Sequence, residues 1–120
     1  MGQNAGAAIS EASTPIDHVH LRRYTMGNRP LELEVLQLFA GQAPETMASL
    51  VAAHDAKAWH IAAHTLKGSA GAVGAFAVAT AAEEAEKAGH DNPQRAQMLA
   101  RIEALLSEAR GYIDGLAVAA

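Results

Sequence analysis

The stretch Asp55–Ala75, DAKAWHIAAHTLKGSAGAVGA, decides how the chain reads. Wound as a helix at about 100° per residue, it has two unlike faces. Trp59, Ala62, Ala63, Leu66, Ala70 and Val73 fall together and mark a core-facing stripe. His60, Ile61, His64, Lys67, Gly68 and Gly71 gather on the other side, within roughly 60° of His64. Asp55 is a good N-cap for such a helix, which is expected from Ala56 to about Gly71. The polar face is unusual for solvated helix surface. A glycine in a helix interior costs about 1 kcal/mol relative to alanine, and this chain has 29 alanines.

Outward from this segment the pattern stays helical. Aromatic residues make up only 4% of the chain, too few for a sheet-rich fold. Leu33, Leu36, Phe39, Ala43, Met47, Leu50 and Val51 recur every three or four residues and predict one long amphipathic helix. Pro44 inside it removes a hydrogen bond, so a kink near Gly41 is expected. A short helix capped by Asp17 runs through Tyr24, with Val19, Leu21 and Tyr24 as its apolar marks. Gly27, Asn28 and Pro30 form the turn after it. Val73 to Ala88 predicts a fourth segment ended by Gly89. Asn92 and Pro93 open the last one, whose stripe is Met98, Ile102, Leu105, Ala109, Tyr112 and Leu116, reinforced by Leu99, Leu106 and Ile113. The expected fold is all-α: an antiparallel up-and-down four-helix bundle with a short extra N-terminal helix, over residues 15–120. Residues 1–14 are expected to be a flexible N-terminal tail.

Composition narrows the chemistry. There is no cysteine, which removes disulfides, thiolate catalysis and cysteine-based metal sites. Thirteen acids against nine bases give a net charge of −4, the wrong sign for a general nucleic-acid binder. No apolar run approaches the roughly 18 residues of a membrane span, and the first residues lack the pattern of a secretory signal. The expectation is a cytoplasmic protein.

The chemistry sits on the face around His64. A neutral imidazole nitrogen is a nucleophile, and phosphorus is an acceptor it can attack. Lys67, one turn on, would offset charge on phosphoryl oxygens. Gly68 leaves bare backbone beside the ring, room for a bulky anion to approach. Two plainer readings compete. The glycines Gly68, Gly71 and Gly74 could serve close helix packing or mark a helix end. His60 and His64, four residues apart, suit two ligands of one metal ion; however, no acid lies on that face of the helix, and Lys67 would repel a cation. His18, His20, His54 and His90 read as surface residues. The run Glu83-Glu84-Ala85-Glu86-Lys87 reads as a solvated helix face, and Trp59 and Phe76 as core.

The run His64-Thr65-Leu66-Lys67-Gly68-Ser69-Ala70-Gly71-Ala72-Val73-Gly74 resembles the signature of histidine-containing phosphotransfer (HPt) domains. That pattern is His, any residue, an aliphatic, Lys, Gly, then small residues ending in an aliphatic and Gly. The likeness extends through Leu36-Gln37-Leu38-Phe39, Ala43-Pro44-Glu45 and Glu83 to Gly89, and covers roughly residues 16–116. One departure is the small-residue series Ala75, Ala77, Ala79, Ala81 and Ala82, where the family usually has larger apolar residues. It implies closer helix packing or lower stability.

The resemblance implies a phosphoryl carrier with no kinase activity of its own. His64 would be phosphorylated at the ring nitrogen farther from the backbone, Lys67 would be its charge partner, and Gly68 the gap that admits the partner. His60, Ile61, Thr65 and Gly71 are assigned to the surface that meets the partner. The implied partners are a response-regulator receiver domain and a sensor or hybrid histidine kinase, with the chain itself a monomer. No cofactor or metal of its own is expected; Mg²⁺ would be held by the receiver. A degenerate adaptor that binds receivers without transfer is the remaining alternative, and retention of both His64 and Lys67 argues against it.

Overall fold

A computed structural model describes residues 14–119. The expected flexible tail therefore lies, apart from Thr14, outside the described residues. The described residues form five helices and no strand: α1 (His18–Tyr24), α2 (Arg29–Ala52), α3 (Ala56–Ala72), α4 (Phe76–Ala88) and α5 (Arg95–Ala119). None of these helices is long and apolar enough to cross a membrane.

Local chemistry sets most of the boundaries. Asp17, Asn28 and Asp55 accept from the backbone N–H of His20, Leu31 and Ala58, capping α1, α2 and α3 as their residue types dictate. Pro44 sits inside α2, which nonetheless runs as a helix from Arg29 to Ala52. The fourth segment begins at Phe76, later than its apolar pattern suggests, because Gly74 adopts a left-handed φ of +83° and ends the preceding turn. A Cβ on Gly74 would stand 2.8 Å from the Asp17 carbonyl oxygen. The Asp17 N–H donates to the Gly74 carbonyl at 2.9 Å, so the chain before α1 is tied to the α3–α4 turn. Asn92 accepts from Gln94 N–H, and regular helix starts at Arg95.

Contacts run from α2 to α3, α3 to α4, α4 to α5 and α5 back to α2, while α1 touches α2. Inside this ring lie Leu36, Phe39, Met47 and Leu50 of α2, Trp59 and Leu66 of α3, Val78 of α4, and Ile102, Leu106 and Ile113 of α5. The α3–α4 contact is the most extensive. Buried alanines stand on both of these helices: Ala63 and Ala70 on one, Ala81, Ala82 and Ala85 on the other. Small side chains bury little area each but let backbones approach. Trp59 spans this junction. Its indole N–H donates to the Ala85 carbonyl at 2.7 Å, and the Arg95 guanidinium lies 4.8 Å from its ring centroid.

Several expectations are corrected. Phe76 is 43% exposed and not core; its ring meets the edge of His20. Val19 and Tyr24 face solvent, leaving Leu21 as the buried anchor of α1, and Val51 is likewise exposed. His18 and His20 are half-buried with partners and are not plain surface residues. His18 Nε2 shares a hydrogen bond with the Tyr112 hydroxyl, and His20 Nε2 donates to the Ala72 carbonyl at 3.2 Å. Burial pushes the Tyr112 phenol above its usual pKa, so it stays a neutral partner for His18.

Candidate functional site

The site is one face of α3 and the edge of α4 beside it. The core stripe of α3 is buried as its pattern predicts, with Trp59, Ala63, Leu66 and Ala70 almost wholly enclosed. That orientation turns the opposite face outward, and the His64 side chain is 63% exposed. Its neighbour one turn back, His60, stacks on it with ring centroids 5.4 Å apart and planes inclined by 19°.

Glu86 organises this face. It comes from α4, flanked by the buried Ala82 and Ala85, and its side chain is only 14% exposed. Its Oε2 accepts from His64 Nδ1 at 3.2 Å and stands 3.0 Å from His60 Nδ1. Its Oε1 lies 3.7 Å from Lys67 Nζ. One carboxylate thus gathers His60, His64 and Lys67 from two turns of α3. This corrects one sequence expectation and supplements another. The acidic run is not wholly a solvated face, since Glu86 points into a neighbouring helix. The histidine pair does have an acid beside it, supplied by a different element. The missed signal was the place of Glu86 at the border of the buried stripe Val78, Ala82 and Ala85, where a side chain leans toward whatever packs alongside.

Gly68 and Gly71 resolve the question of their purpose. Among the described residues, a Cβ on either would meet no atom within 4 Å beyond its own helix backbone. Among the described residues neither glycine packs against another element, unlike Gly74, which ends the helix. The backbone beside His64 is bare toward solvent.

The remaining sequence-assigned residues lie to the other flank. Ile61, 53% exposed, and Thr65 line a shallow groove of about 470 Å³ between α2 and α3, with Glu45, Thr46 and Ser49 along its far wall. The seven residues picked out from the sequence therefore divide. His60, His64 and Lys67 converge on Glu86, Gly68 and Gly71 leave open backbone, and Ile61 and Thr65 edge the groove.

The described residues thus form a ring of helices that presents an exposed histidine with a carboxylate beside its Nδ1. The family model described as the Hpt domain matches residues 34–112, and the chain belongs to that family. Membership implies histidine phosphotransfer in phosphorelays, with receiver domains and kinases as the family's partners. Among curated proteins and solved structures, none matches the chain.

Proposed function

We propose that the chain relays a phosphoryl group between His64 and the aspartate of a response-regulator receiver domain, as a carrier and not a kinase. The observation that carries this reading is the pairing of His64 Nδ1 with Glu86 on an otherwise open face. A carboxylate accepts only, so the proton of the neutral ring sits on Nδ1 and the lone pair on Nε2. Nε2 is the nitrogen that points away from the backbone.

In the transfer, the Nε2 lone pair forms the N–P bond while the P–O bond to the receiver aspartate breaks. The electron pair of that bond leaves on the aspartate carboxylate, and in-line geometry is assembled only in the complex. The Nδ1 proton remains, so the phosphorylated ring carries positive charge that Glu86 offsets. Lys67, on a flexible stem, can turn from Glu86 toward the phosphoryl oxygens. Mg²⁺ would be held by the receiver's own carboxylates. Gly68 and Gly71 admit the receiver surface, while His60, Ile61 and Thr65 supply contact around it.

The same reading takes residues 15–120 as the domain. The ring of α2–α5, with its short connections 53–55, 73–75 and 89–94, is read as an antiparallel up-and-down four-helix bundle with α1 appended. It places the chain in the cytoplasm as a monomer, where a sensor or hybrid histidine kinase and a receiver would exchange phosphoryl groups through it. The test is incubation with a phosphorylated receiver. Wild type should take acid-labile, alkali-stable label and His64→Gln none. Receiver binding without label would make the chain an adaptor.

A further inference from the structure

Glu86 supplies what the histidine pair of α3 lacks on its own helix. His60 Nδ1 and His64 Nδ1 stand 3.0 and 3.2 Å from the same Oε2. Ligand atoms about 2.0–2.1 Å from one tetrahedral ion lie about 3.3 Å from each other, so these spacings are already near those of a coordination shell. Ligand atoms of His60, His64 and Glu86 all lie within 4.8 Å of one another. Two imidazoles and a carboxylate are a borderline-soft donor set that suits zinc, with a fourth position left to water. Both histidine rings are more than half exposed, so an ion can reach them without any opening of the fold. Among the described residues the opposing group is Lys67, whose ammonium lies on the far oxygen, Oε1, and not on the oxygen that the histidines share.

We propose that His60, His64 and Glu86 form a binding site for a divalent transition-metal ion of the zinc class, and that an ion held there blocks phosphoryl acceptance at His64. The binding rests on the three side chains alone; the block rests also on the phosphotransfer reading. Coordination takes the Nδ1 lone pair of His64. The ring then keeps its one proton on Nε2, with no net proton released from this residue. Nε2–H has no lone pair to offer phosphorus, and the Nδ1 contact with Glu86 is replaced by the ion.

The full chain, freed of metal with a chelator, is titrated with ZnCl₂ by calorimetry and with CoCl₂ by visible absorption. One ion per chain is expected, with a tetrahedral-type cobalt spectrum. Affinity should fall at least tenfold in His60→Ala and in Glu86→Gln, stay unchanged in His54→Ala, and rise severalfold in Lys67→Ala. No binding, or equal binding by wild type and both ligand variants, overturns the site. Label transfer from a phosphorylated receiver is then followed with and without ZnCl₂. Zinc should slow acceptance by wild type far more than by His60→Ala, a comparison that separates the site from any action of zinc on the receiver. Equal slowing overturns the block. If the chain takes no label even without zinc, the relay reading and the block fall together, while the titration still decides the metal site.

Discussion

The carboxylate of Glu86, on α4, accepts a hydrogen bond from Nδ1 of His64, on α3, at 3.2 Å. The two residues are distant in sequence, and the contact exists only because small side chains bring the two helices close. It makes Nδ1 the proton holder, and in the proposed relay Nε2 is then the nucleophile.

Glu86→Gln tests that division directly. The amide keeps the shape but removes the charge that offsets the phosphorylated ring. A charge-assisted hydrogen bond at a partly exposed site is worth about 1 kcal/mol over its neutral counterpart, so the rate of label acceptance should fall roughly fivefold. Rapid-quench measurement with a phosphorylated receiver reads this, and the helical circular-dichroism spectrum should not change.

Gly68→Ala should separate stability from activity. The added methyl meets nothing in the chain and helix propensity improves, so urea unfolding should show a gain of up to about 1 kcal/mol. The same methyl narrows the approach to His64, and transfer should drop about tenfold or more, or ~1.4 kcal/mol. Unchanged transfer would remove the glycine from the site.

Gly74→Ala should do the reverse. Its left-handed φ and the Asp17 carbonyl 2.8 Å from the added Cβ both penalise a side chain. The expected loss is about 2 kcal/mol or more in chemical denaturation. Phosphoryl acceptance by the folded fraction should persist.

Trp59→Phe probes the core behind the site. The substitution deletes the N–H donated to Ala85 and opens space between α3 and α4. The Ala85 carbonyl still accepts from Gly89 N–H, so no buried acceptor is orphaned. The expected cost is about 1–3 kcal/mol, read from the shift of the unfolding midpoint.

Much of this was legible in the residues. The two faces of α3 followed from periodicity, since Trp59, Ala63, Leu66 and Ala70 repeat at helical spacing and all are buried. The caps Asp17 and Asp55 announced two helix starts, while Asn28, read as a turn residue, proved to cap α2; the glycines beside His64 announced a surface kept bare. Glu86 was not legible, because periodicity orders residues along one helix and says nothing of which neighbour a border residue reaches. Phe76, Val19 and Tyr24 were misjudged for a related reason. Hydrophobic residues remain exposed when the core is already filled by other side chains, here alanines and larger residues in nearly equal number. His18 and His20 found partners in Tyr112 and Ala72 through the packing of a short helix whose neighbours its own sequence does not name.

The most direct measurement is the position of the phosphoryl group in the labelled wild-type chain, by phosphorus–proton NMR of the histidine ring after transfer from a receiver. The expected result is a single phosphohistidine at residue 64 with phosphorus coupled through Nε2. Phosphorus on Nδ1, on His60, or on any other histidine would contradict the account.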